Sequence, residues 1–179
     1  MKSLNIIADF LTASRLLISI LIGFLGWFRG VDGWLLASIL LIIAWSTDIL
    51  DGIFARRSGS PGKTWIGKHD LYFDMLVALS LLVFMTSSTV INLATCLLYL
   101  FAWVLIFSRF GIPSALGKLF QAPIYAWFIV SSLVYQPPLG AILLVFLAFL
   151  TAITWPRFPD DTIPSFISGF EQRKNSHNS

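Results

Sequence analysis

Charge is scarce in this chain. Only 12% of its 179 residues are charged, about half the roughly 25% typical of soluble domains. With 57% hydrophobic residues and a mean hydropathy of +0.83, that shortfall excludes an ordinary water-soluble domain and places the chain in the membrane class. A single cysteine, Cys96, excludes an intrachain disulfide or a CxxC metal site; inside an apolar run it reads as packing. No long polar insertion breaks the sequence, so one domain is expected. No internal repeat is evident, which leaves an inverted-repeat transporter without support. The basic residues flank the apolar runs instead of forming one patch, which argues against nucleic acid as a partner.

What is present is a series of apolar runs. A spanning helix needs about 20 mostly apolar residues, with a range of roughly 17–25. Six runs reach that length, at 4–28, 33–53, 69–88, 90–109, 117–136 and 138–155. The first is too long for a secretory signal, is interrupted by Asp9 and Arg15, and has no small-residue cleavage site. The expected fold is therefore an all-α membrane protein of six transmembrane helices over 1–155, with a short polar cytoplasmic tail over 156–179. Lys2, then Arg56, Arg57, Lys63 and Lys68, then Arg109 and Lys118, then Arg157, Arg173 and Lys174 alternate with links that hold only Arg29 with Asp32 or no charge. The positive-inside rule puts both termini in the cytoplasm, and an even span count agrees. Trp27, Trp34, Tyr135 and Trp155 stand near span ends, where interfacial rings belong. Residues 57–67 are rich in turn formers and make the longest internal link.

The acidic residues are few, nine in all, yet four of them crowd between Asp48 and Asp74. A carboxylate at a bilayer centre costs roughly 2.5–3.5 kcal/mol on insertion scales, so a cluster needs neutralisation by cations or water. At about 100° per residue, Asp48, Asp51, Gly52, Ala55 and Arg56 share one helix face about 140° wide. Two carboxylates are thus set beside the two smallest side chains, with a guanidinium at one edge. Asp70 and Asp74 are i, i+4 on the next helix and share a face too. Both pairs are expected at cytoplasmic helix ends. Facing each other, they offer oxygen ligands for one or two hard cations that also bind substrate phosphates. Mg²⁺ or Mn²⁺ suits this set, whereas zinc would favour His or Cys.

These residues carry a resemblance. Asp48, Asp51, Gly52, Ala55 and Arg56 match the opening of the signature of the CDP-alcohol phosphotransferase (CDP-alcohol phosphatidyltransferase) family, D-x-x-D-G-x-x-A-R, and Asp70 and Asp74 match its closing D-x-x-x-D. The middle departs: ten residues separate Arg56 from Gly67 and two separate Gly67 from Asp70, a net gain of one residue that a loop should absorb. Asp9, Thr12 and Arg15 resemble the family's N-x-L-T-x-x-R opening, with Asp where Asn is usual. The resemblance implies transfer of a phosphatidyl group from a CDP-linked lipid, CDP-diacylglycerol, to an alcohol, with release of CMP, in phospholipid biosynthesis. It implies two metal ions, Mg²⁺ or Mn²⁺, held by Asp48, Asp51, Asp70 and Asp74, with Asp74 also the general base. It places Gly52, Ala55, Arg56 and the displaced Gly67 against the cytidine diphosphate, the site facing the cytoplasm, membrane lipid around it, and a homodimer as the assembly.

Arg109 and Lys118 fall on the same side and suit a phosphorylated acceptor, which makes glycerol 3-phosphate the first expectation. Inositol phosphate, serine or a second phospholipid are the alternatives. Arg15 reads either as a snorkelling charge or as part of the site. His69 reads as a helix-end residue, His177 as a solvated tail residue, and Lys63 and Lys68 as lipid-surface charges. Two other classes stand beside the enzyme: a divalent-ion transporter, which midplane carboxylates would favour, and an inactive membrane scaffold, which the altered loop would favour.

Overall fold

In the computed structural model of the chain, residues 2–57 and 64–154 are described. The expected tail over 156–179, with Trp155, and Lys63 in the link lie outside them. Among the described residues the structure is all helical and contains no strand. Helix α1 (Lys2–Arg29) leads through a 3₁₀ turn (Gly30–Gly33) into α2 (Trp34–Arg57). A short α3 (Trp65–Lys68) precedes α4 (Asp70–Ser87). Then come α5 (Leu93–Phe110), α6 (Ser114–Tyr135) and α7 (Pro137–Thr154). The stretch Leu4–Arg57 and the helices Asp70–Ser87 and Leu93–Phe110 are long and apolar enough to cross a membrane. The helix ends follow local chemistry. Asn92 caps α5 by accepting from the Ala94 N–H at 2.9 Å, and Gly111, at φ +71°, ends it. Pro137 opens α7, where a missing N–H costs nothing.

Helix α1 packs chiefly against α4 and α2, α4 also against α6, and α6 against α7. Lipid tails are as apolar as leucine, so close backbone approach and packing, not water exclusion, hold such helices together. Gly26 shows this: a Cβ there would stand 2.6 Å from the Phe84 Cα, so α1 and α4 touch backbone to backbone. At Gly117 on α6 the contact is different: a Cβ would meet the Leu71 side chain at 2.8 Å, so a side chain of α4 packs onto the bare backbone of α6.

The core lies toward the Gly30–Gly33 end. Trp34 is fully buried, stacks on Phe128 at 5.1 Å, meets Phe84 edge-on at 5.3 Å and donates its indole N–H to the Ser132 Oγ at 2.8 Å. This corrects the expectation of an interfacial ring: Trp34 reaches a hydroxyl partner on α6 and is an internal clasp. Trp27 is 80% exposed. Cys96 is buried in the packing. On α6, Pro123 removes one helix N–H. Beside the carbonyl this leaves without a backbone donor, the Tyr99 hydroxyl of α5 donates to the Phe120 carbonyl at 2.5 Å.

Candidate active site

At the other end of the bundle four aspartates converge on one guanidinium. Thr12 and Arg15 are i, i+3 on α1 and face α2 and α4 together. Arg15 is 1% exposed. It donates to Asp48 Oδ1 at 3.0 Å and to Asp70 Oδ1 at 2.5 Å, and it also pairs with Asp51 and Asp74. The Thr12 hydroxyl donates to Asp51 Oδ2 at 2.7 Å. A lone arginine at this depth would be costly; here it offsets part of the charge of four carboxylates that are themselves close together. Arg15 is therefore an internal counter-charge, not a snorkelling residue.

Arg15 on α1, Asp48 on α2 and Asp74 on α4 each lie about 20 Å from their helix ends at the Trp34 side, at 1.5 Å per residue. Helix α2 continues past Asp48 to Arg57. The α4 pair is at a helix end as expected, Asp70 opening α4 and Asp74 one turn in, whereas Asp48 and Asp51 lie inside α2 rather than at its end.

Carboxylate oxygens of Asp48, Asp70 and Asp74 all lie within 4.8 Å of one another. The donor set is all oxygen, partly exposed, with no His or Cys in it, which fits a hard divalent cation such as Mg²⁺ or Mn²⁺. Asp51 is nearly buried and already engaged by Thr12 and Arg15, so it stands behind the other three.

One space adjoins the cluster and another reaches its depth. A cavity of about 220 Å³ is lined by Asp48, Asp74, Trp45, Lys118, Gln121 and Tyr125, among others. An apolar groove of about 550 Å³ runs between α1 and α4 and is lined by Leu16, Gly23, Phe24, Leu76 and Val83, among others. Leu16 follows Arg15 by one residue and Leu76 follows Asp74 by two, so one end of the groove reaches about the depth of the carboxylates along α1 and α4, on other faces of those helices.

A family profile, CDP-alcohol phosphatidyltransferase, matches residues 5–158. The chain belongs to that family. Comparison with curated proteins and with solved structures found no match. Family membership makes this a transferase of phospholipid synthesis, acting on a CDP-alcohol, and with the apolar helices it makes the chain an integral membrane protein.

The family's signature residues can now be placed. Gly52 lies under the Arg56 guanidinium: a Cβ on Gly52 would stand 3.2 Å from an Arg56 terminal nitrogen. Absence of a side chain there lets Arg56 fold back one turn along α2. Ala55 and Arg56 are exposed on the same stretch. Gly67 sits in α3, where its N–H donates to the Thr64 Oγ1 at 3.1 Å. The Thr64 hydroxyl in turn donates to Asp9 Oδ1 at 2.5 Å. Asp9 and Gly67 therefore meet through Thr64, and this tie anchors the altered link to α1 just before Asp70. With the longer link, Asp70 and Asp74 reach the cluster. His69 bonds the Trp65 carbonyl at 2.8 Å and packs between Trp65 and Tyr72, a helix-end role.

Of the two basic residues expected near an acceptor, Lys118 lines the cavity and Arg109 does not. Arg109 is exposed at the end of α5, its guanidinium 5.6 Å from the Phe110 ring centre. Gln121 and Tyr125 are cavity residues that the sequence reading passed over. Lys118, Gln121 and Tyr125 follow i, i+3, i+7 spacing, a polar stripe on an apolar helix that was open to view.

Proposed function

We propose that this protein transfers a phosphatidyl group from CDP-diacylglycerol to a small alcohol and releases CMP, with glycerol 3-phosphate as the first candidate acceptor. The observation that carries the reading is the convergence of Asp48, Asp70 and Asp74 oxygens within 4.8 Å at the wall of a polar cavity. Six spans with both termini in the cytoplasm, a site opening to that side, and assembly as a homodimer complete the reading. The alternating basic links and the family likeness support these points.

In the reaction the acceptor hydroxyl oxygen forms a bond to the phosphorus that carries the diacylglycerol. The bond from that phosphorus to the CMP oxygen breaks, and CMP leaves with the electron pair. Asp74 lines the cavity in which the hydroxyl would lie and takes its proton. Asp48, Asp70 and Asp74 would hold the divalent cations, with Asp51 set behind them by Thr12 and Arg15. A bound cation supplies charge neutralisation at the diphosphate oxygens. Arg56 and Gly52 face the cytidine diphosphate, the guanidinium offering planar donors to phosphate. Lys118 takes the acceptor's anionic group. The transporter reading is disfavoured because, among the described residues, Trp34, Leu81, Phe84 and Phe128 are buried together in the far half of the bundle. The scaffold reading loses its support once the altered link still delivers Asp70 and Asp74.

The test is CMP release by purified protein in detergent, given CDP-diacylglycerol, Mg²⁺ or Mn²⁺, and a panel of glycerol 3-phosphate, inositol phosphate, serine and phosphatidylglycerol. Release with one acceptor is expected. Silence with all four sinks the reading.

The groove between α1 and α4 is assigned to a donor acyl chain. A Cβ at Gly23 would meet nothing within 4 Å, so a larger side chain there fills the groove without disturbing the fold, and it improves helix propensity. Gly23→Leu should raise the KM for a long-chain donor about fivefold or more, given roughly 1 kcal/mol of displaced chain contact, and spare a donor with short acyl chains. Equal effects on both donors would remove the groove from the reaction.

A further inference from the structure

Gln121 is a buried polar side chain without an occupation. It is 8% exposed, and its amide nitrogen has no hydrogen-bond partner. Most buried polar side-chain atoms are satisfied, and an exception calls for a reason. The amide sits in the wall of the 220 Å³ cavity that also holds Asp48, Asp74 and Lys118. Lys118 is one turn before it on α6, and Tyr125 one turn after. Tyr125 is fixed from outside: it meets Trp45 edge-on at 5.5 Å, and its hydroxyl lies 3.4 Å from the Asp74 carbonyl. The wall is thus built, and Gln121 lines a space that a polar molecule can fill; its amide nitrogen is sealed from that space, and a turn of the terminal amide brings the N–H to face it. At about 30 Å³ per water, that space corresponds to about seven waters, enough for a hydroxylated headgroup and too little for acyl chains.

We propose that Gln121 determines acceptor specificity. Its amide N–H donates to an oxygen of the alcohol acceptor next to the hydroxyl that reacts. Lys118 takes the acceptor's anion, and Asp74 receives the proton on the opposite wall. The ligand chemistry is a small polyol or amino-alcohol bearing an anionic group, either free in water or as the headgroup of a phospholipid. This rests on the transfer reaction proposed above.

Replacement of an unpaired buried amide by an apolar side chain of similar size does not remove a native hydrogen bond and relieves a desolvation cost. Gln121→Leu should therefore fold, melting at or above the wild-type temperature. It should raise the acceptor KM about tenfold or more and leave the CDP-diacylglycerol KM within twofold. Titrations with glycerol 3-phosphate, with serine and with phosphatidylglycerol in mixed micelles separate the free from the lipid-borne acceptor. Gln121→Glu, which loses the donor and adds a negative charge, should weaken a phosphorylated acceptor further than Gln121→Leu does. An unchanged acceptor KM in Gln121→Leu overturns the assignment while leaving the transfer reaction standing. So does a rise in both KM values together with a lower melting temperature, the mark of a structural role. Absence of CMP release from wild-type protein with every acceptor overturns both.

Discussion

Asp74→Asn should lower CMP release by about 10³-fold while the protein keeps its helical fold. A positioned general base contributes roughly 10²–10⁴-fold, and Asp74 is also one of the three carboxylates whose oxygens meet within 4.8 Å. The substitution keeps the shape and removes the proton acceptor. Its effect on stability should have the opposite sign. Four carboxylates share one buried arginine, so the cluster carries excess negative charge in the absence of cations, and neutralising one member relieves repulsion. The variant should melt at or above the wild-type temperature in a metal-free buffer, and added Mg²⁺ should stabilise it less than it stabilises the wild type. Turnover within tenfold of wild type would remove Asp74 from the chemistry. A fall in both turnover and melting temperature would make it a structural residue.

Arg15→Met should produce the largest loss of stability. Breaking a buried ion pair by deleting one partner costs about 3–5 kcal/mol. The low end applies here, because Asp48 and Asp70 stay partly open to water, at 46% and 36% side-chain exposure. Deletion leaves all four carboxylates without their shared counter-charge. A divalent cation can then replace the guanidinium, and a ligand at 100 times its Kd adds about 2.7 kcal/mol. The expected result is a protein that melts well below wild type in EDTA and recovers much of the difference in millimolar Mg²⁺ or Mn²⁺. Ca²⁺ and Zn²⁺ serve as comparisons for the oxygen-donor preference. Identical melting of variant and wild type in EDTA would show that Arg15 does not hold the cluster together. A loss that no cation rescues would show that the carboxylates do not form a metal site.

The apolar runs were legible because each helix carries its own signal: length, low charge and a breaker such as Gly111 or Pro137 at its end. The carboxylate stripe was legible for the same reason, since 100° per residue fixes which side chains share a face. What no local pattern could supply was which faces meet. Arg15 stands 33 residues before Asp48 and 59 before Asp74, and only the packing of α1 against both α2 and α4 makes it the common partner. Trp34 read as an interfacial ring because it opens a span, yet its indole finds Ser132 98 residues away. The stripe of Lys118, Gln121 and Tyr125 was visible, but the neighbour it faces was not. The link before Asp70 read as a weak point. Its tie from Thr64 to Asp9 depends on α1, which a reading confined to the link could not include.

The equal depth of Arg15, Asp48 and Asp74 has a consequence for how such a chain can change length. Each residue inserted into one helix between the Trp34 clasp and the cluster would lift its site residue by 1.5 Å and turn it by about 100°, carrying it out of the shared plane. That half of the bundle behaves like three rulers clamped at zero and read at the same mark. Beyond the mark, the segment between Arg56 and Asp70 bears no such constraint, and the added residue of this chain is found there. Single-residue insertions between the Trp34 end and Arg15, Asp48 or Asp74 should abolish activity, whereas one in the link between Arg57 and Thr64 should be mild.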